Sequence, residues 1–135
     1  MPVSSQLVID CADPDPLAHF WAEALHYVLA PPPEGFASWD DFFRSIGVPE
    51  EELGIGADSI VDPNGEGPRV WFQVVPERKS IKNRLHLDLS VGPDARDGEV
   101  ERLEQLGATV LARVDAAGSN HVTMADPEGN EFDVQ

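Results

Sequence analysis

Apolar residues along this chain recur at two spacings, and the two spacings follow one another in an order that occurs twice. Residues 6–11 alternate between apolar and polar, which predicts a strand. Asp13-Pro14-Asp15-Pro16 then supplies an acidic cap beside a proline suited to a first helical turn. Leu17, Phe20, Trp21, Ala24, Leu25 and Val28 fall at helical spacing, so one helix with one apolar stripe is expected there. Pro31-Pro32-Pro33 stops it. A short amphipathic piece opens at Ser38, carries Trp39, Phe42, Phe43 and Ile46, and ends at Gly47, with Glu50-Glu51-Glu52 as loop. Strands follow at 57–61 and 69–75, joined through Asp62-Pro63-Asn64-Gly65.

The second copy starts with a strand at 84–91 and a helix at 95–106, striped by Val100, Leu103 and Leu106 and stopped by Gly107. Strands at 109–114 and 121–125 flank a turn at 115–118, and a last strand covers 131–135. It is preceded by Asp126-Pro127-Glu128-Gly129, the same turn signature as at 62–65. Pro presets φ for such a turn and Gly accepts a positive φ. The pattern is βαβββ twice. Module 1 covers about 1–76 and module 2 about 84–135, with an insertion at about 31–56 in the first copy and a connector at 76–83. That connector holds Arg78, Lys79 and Lys82 in a chain poor in positive charge, so it is either a solvated linker or an electropositive lip.

A strand sends alternate side chains to opposite faces, so each run sorts into two sets. One set is apolar: Leu7, Ile9 and Cys11; Val70, Phe72 and Val74; the leucines of 85–89; Phe132 and Val134. The helices need this face to pack on. The other set holds Gln6, Val8 and Asp10; Arg69, Trp71, Gln73 and Val75; His86, Asp88 and Ser90; Glu131, Asp133 and Gln135. Alternation fits either a solvated face or, where half-sheets curl toward each other, the lining of a polar cavity.

A formal net charge of −16 disfavours nucleic acid and anionic membranes as partners through repulsion. Cys11 is the only cysteine, which excludes an intrachain disulfide and fits a reducing compartment. No basic-then-apolar leader and no apolar run near the length of a membrane span is visible, so a cytoplasmic protein is expected.

Four segments carry a family resemblance. They are Asp10-Cys11-Ala12-Asp13-Pro14 before Leu17-Ala18-His19-Phe20-Trp21, Leu85-His86-Leu87-Asp88-Leu89, Leu106-Gly107-Ala108-Thr109-Val110, and Asp126-Pro127-Glu128-Gly129-Asn130-Glu131-Phe132. Together they resemble the vicinal oxygen chelate superfamily, and within it the glyoxalase-like domains of the glyoxalase/bleomycin resistance/dioxygenase type. The resemblance implies an α+β fold in which two βαβββ modules form a curved eight-stranded mixed sheet, often within a homodimer. It also implies a small-molecule ligand and, in the metal enzymes, ligands on the first and last strands of each module.

Carried over by position, those ligand sites fall on Gln6, Gln73, His86 and Asp133. Lyase-type members usually present His or Gln, Glu, His and Glu, so Gln73 and the shorter Asp133 depart from the pattern. One imidazole, one carboxylate and two neutral amides make a weaker set for Zn, Ni, Mn or Fe than the usual one. Asp133 and Asp88 are the expected proton-handling groups, and Asp10, Arg69, Trp71, Ser90 and Glu131 the expected ligand pocket. His19, His26 and His121 are expected to take no part in chemistry. The resemblance supports two functions: a metal-dependent lyase, isomerase or dioxygenase acting on an oxygen-chelating substrate, or a metal-free ligand- or drug-sequestering protein.

Overall fold

Each βαβββ copy folds as one helix packed on a four-stranded mixed sheet. The computed structural model describes residues 1–135 and divides into units at 1–74 and 75–135. The first unit runs β1 (Leu7–Cys11), α1 (Pro14–Leu25), β2 (Val28–Leu29), α2 (Trp39–Ser45), a 3₁₀ turn (Glu50–Glu52), β3 (Ser59–Val61) and β4 (Val70–Val74). The second runs β5 (Asp88–Leu89), α3 (Arg96–Leu106), β6 (Thr109–Ala116), β7 (Ser119–Ala125) and β8 (Glu131–Val134).

Strand order is β1-β4-β3-β2 in one unit and β5-β8-β7-β6 in the other. The helix carries the chain from the first strand to the far edge of its sheet. Antiparallel neighbours then lead back until the last strand lies parallel to the first. The eight strands are therefore hydrogen-bonded as two sheets of four rather than one sheet of eight, because each unit closes its own ladders.

Most of the apolar sets are buried as their spacing requires, but Val74, at the end of β4, is 52% exposed and Leu85, before β5, is exposed too. Leu17, Phe20 and Trp21 on α1 are buried with Ile60, Val70 and Phe72. Val100 and Leu103 on α3 are buried with Val122, Met124, Phe132 and Val134. Each such side chain contributes about 1.5–3 kcal/mol by leaving water. The insertion adds little to either core. Phe36, Trp39, Phe42 and Phe43 stack on one another with centroids 5.3–5.9 Å apart, and α2 buries none of its residues.

Both Asp-Pro-x-Gly turns form, and the aspartate builds each of them. Asp62 accepts from the backbone N–H of Asn64 (2.8 Å), Glu66 (3.2 Å) and Gly67 (2.8 Å). Asp126 accepts from Glu128 and Asn130, both at 2.9 Å. Gly65 and Gly129 take positive φ, 71° and 89°, which a side chain would oppose.

Three local expectations change. Val28 does not extend α1, because His26 adopts a left-handed φ of 57° and its N–H caps Ala22 and Glu23. Val28 pairs instead with Val61 as the edge strand β2. The strand expected at 84–91 is assigned only at Asp88–Leu89, and Leu85 is 85% exposed. Backbone bonds still continue along it, from Asp133 N to Leu87 O and from Val91 N to Gln135 O. The hairpin β6–β7 is longer than its apolar pattern, with a turn of only Ala117-Gly118, because its tips project into solvent and need no alternation.

The connector is bound rather than free. Lys79 Nζ lies 3.0 Å from Glu131 Oε2, Asn83 N donates to the same oxygen at 3.0 Å, and Asn83 Nδ2 donates to Asn130. Lys79 is therefore spent on structure and unavailable as part of an electropositive lip. No helix of the chain is long and apolar enough to cross a membrane.

Candidate functional site

In the second unit β8 lies between β5 and β7, with Asp133 directly opposite both Asp88 and Thr123. Phe132 and Val134 point into the core, so Asp133 is directed to the opposite face, along with His86, Asp88, His121 and Thr123. Thr123 Oγ1 donates to Asp133 Oδ1 at 2.7 Å and fixes that carboxylate. His86 Nδ1 lies 3.2 Å from Asp88 Oδ1 and 3.8 Å from Asp133 Oδ2. His121 Nε2 lies 3.9 Å from Asp133 Oδ1, and its Nδ1 is 3.2 Å from the Ser119 hydroxyl. Ser90 is exposed two residues beyond Asp88.

One ligating atom from each of His86, Asp88 and Asp133 falls within 4.8 Å of the others. An imidazole and two carboxylates so close are a nitrogen–oxygen donor set suited to a divalent cation such as Mn, Fe or Zn. The donors suit an ion better than the two amides of Gln6 and Gln73 do, because they bring negative charge. Asp133 is 18% exposed at its side chain and His86 35%, so a small molecule has access to both.

His121 and Thr123 were not expected at this site. Their signal was present in the sequence, since both alternate with the buried Val122 and Met124 and so face the same way as Asp133.

Glu131, also on this face, is occupied structurally. Burial pushes its carboxyl up, but the Asn83 N–H and the Lys79 ammonium outweigh burial and hold it down to about 2. Its ordinary value is 4.5. The stability it contributes is therefore fully present above about pH 4.5 and is lost as pH falls through about 2. Urea denaturation across that range should find Glu131→Gln less stable than the parent at pH 7. The gap should close toward pH 2, and a gap independent of pH would contradict this role.

In the first unit the corresponding face carries Gln6, Val8, Asp10, Ser59, Arg69, Trp71 and Gln73. Trp71 lies directly opposite both Val8 and Ser59, and Gln73 opposite Asp10. Arg69 Nη1 donates to Gln6 Oε1 at 3.3 Å and Nη2 to Ser59 Oγ at 2.9 Å. The two registers make the units comparable position by position. Ser59 and Thr123 each stand three residues before the turn aspartate, opposite Trp71 and Asp133 respectively. Trp71 thus matches Asp133, Arg69 matches Glu131, Gln6 matches His86, and Gln73 matches Gln135.

The model of the glyoxalase-like domain family matches residues 6–135. No curated protein is a significant match. Among solved structures, a glyoxalase/bleomycin resistance protein/dioxygenase family enzyme from Burkholderia phytofirmans is 17% identical with a TM-score of 0.63, over 96% of this chain and 94% of that one. The fosfomycin resistance protein FosX from Mesorhizobium loti is 9% identical with a TM-score of 0.64, over 100% and 91%. A variant of FosX from Listeria monocytogenes, complexed with Mn(II) and a dihydroxypropylphosphonic acid, is 9% identical with a TM-score of 0.66, over 100% and 90%. At these identities the likeness establishes the fold.

Proposed function

The chain belongs to the glyoxalase-like domain family, and we propose that it binds a small oxygen-bearing molecule at a divalent cation held by His86, Asp88 and Asp133. The observation that carries this is the closeness of one imidazole and two carboxylates, with donor atoms within 4.8 Å of one another. The Mn(II) complex of a FosX variant, a protein of the same fold, supports it. A cation bound there would supply Lewis-acid polarisation of a ligand oxygen, as a lyase or isomerase of this superfamily type requires, while a dioxygenase would need a redox-active ion such as Fe(II) or Mn(II) in the same place. The chain's own residues do the rest. Thr123 holds Asp133 in one orientation, and Asp88, 47% exposed beside His86, is placed to accept a proton from a bound ligand. The resemblance supports a homodimer as the working form, and Cys11 as the single cysteine fits a reducing, cytoplasmic compartment.

Elemental analysis of protein purified without chelator, followed by calorimetric titration with Mn, Zn, Ni and Fe(II), tests the proposal. One equivalent of metal, lost in His86→Ala, is expected. No stoichiometric uptake of any of these ions would overturn it.

The first unit favours a second reading. Where the second unit has His86 and Asp133, the first has Gln6 and Trp71, a neutral amide and an indole. That half of the repeat resembles a binding surface more than a catalytic one, as in a metal-free sequestering protein.

A further inference from the structure

Residues 1–74 contain thirteen acidic side chains against two basic ones, Arg44 and Arg69. Arg44 is taken up by Asp41 at 3.1 Å and Glu50 at 2.6 Å. Arg69, in the same acidic unit, is held only by neutral partners, the Gln6 amide oxygen and the Ser59 hydroxyl. Ser59 is 3% exposed and donates its own proton to Asp58 Oδ1 at 3.1 Å, which leaves its oxygen turned to Arg69 as an acceptor. Two dipoles thus fix the guanidinium plane without cancelling its charge. Of its five N–H donors, two are used and three remain. The matching position in the second unit is treated in the opposite way, since Glu131 is neutralised by Lys79 at 3.0 Å.

Trp71 stands two residues from Arg69 on the same face, about 7 Å along the strand. Its indole is half-buried and flanked in register by Val8, which is 39% exposed. A fixed cation beside an accessible aromatic plate recognises a flat ligand with negative charge at one end. We propose that Arg69 and Trp71 form a binding site for an aromatic carboxylate, with the guanidinium forking the carboxylate and the indole stacking on the ring. The Gln6 and Ser59 bonds prepay the ordering of the arginine, a cost that a free surface side chain would meet on binding.

This inference rests on the reading of the domain as a small-molecule binder, but it uses none of His86, Asp88 and Asp133, the residues proposed to hold the cation. The test titrates 2-naphthoate, 2-naphthamide and cyclohexanecarboxylate into the full chain with chelator present, following the tryptophan indole N–H signals by NMR. Trp71→Phe assigns the Trp71 signal, and the other two tryptophans, Trp21 and Trp39, serve as internal references. 2-Naphthoate should move the Trp71 signal and bind about 10-fold or more tightly than either analogue. Arg69→Gln should weaken 2-naphthoate about 10-fold and leave 2-naphthamide unchanged, while Arg69→Lys, which keeps the charge without the fork, should fall between. Equal binding of acid and amide, indifference to Arg69→Gln, or an unmoved Trp71 signal at millimolar 2-naphthoate would each overturn the proposal. Mn(II) uptake measured on a chelator-free portion of the same Arg69→Gln preparation separates the two readings, because failure of the metal site leaves the naphthoate result standing and the reverse also holds.

Discussion

Asp133→Asn should lower the affinity of the protein for Mn(II) by at least about 100-fold while leaving the fold intact. Replacing an outer partner of a metal ligand already costs about 10–100-fold, so removing the charge of a ligand itself should cost more. Asn keeps the shape of Asp, and its carbonyl oxygen can still accept from Thr123 Oγ1, so the 2.7 Å bond that orients the side chain survives. What changes is the second negative charge beside His86, which leaves Asp88 as the only carboxylate of the cluster. Thr123→Val keeps the charge and removes the orienting donor, and about a 10-fold loss is expected there. Calorimetric titration of the parent and both variants checks the order. Unchanged affinity in Asp133→Asn, with His86→Ala still impaired, would remove Asp133 from the ligand set.

The side chains that make this site were legible in the sequence to different depths. Alternation sorted His86, Asp88 and Asp133 onto the wet face without reference to any structure, and the duplicated Asp-Pro-x-Gly signature announced the repeat. Alternation along 121–125 carries the same signal for His121 and Thr123, but the family's ligand positions skip the third strand of the module and do not flag them. Register is the level at which sequence reading stops. Trp71 and Gln73 share a face by periodicity, and only the pairing of β4 with β1 and β3 shows that Trp71 matches Asp133 while Gln73 lies opposite Asp10. The end of α1 was hidden for a different reason. Val28 sits at helical spacing, but a left-handed His26 is a choice of backbone conformation that no apolar pattern records.

Asp126→Ala should destabilise the protein by about 3 kcal/mol, clearly more than Asp62→Ala at the matching turn. The two turns share a signature and differ in burial. Asp126 is 3% exposed, and its carboxylate accepts from the backbone N–H groups of Glu128 and Asn130 and from the Asn130 side-chain amide at 2.9 Å. Truncation to Ala strands these donors where water reaches them poorly, and hydrogen bonds to a charged acceptor are among the stronger ones. Asp62 also accepts from three backbone N–H groups, but it is only partly buried, on a loop of exposed residues 63–66, where water can replace the lost acceptor. The larger effect should also reach the site. The Asp126 turn sets β7 against β8, and that register is what brings Thr123 Oγ1 to Asp133, the bond that orients the carboxylate shared with His86 and Asp88. Urea denaturation should therefore rank Asp126→Ala well below Asp62→Ala, and Mn(II) affinity should fall in the first variant and hold in the second. Equal destabilisation by the two substitutions would mean that burial of the turn is not what distinguishes them.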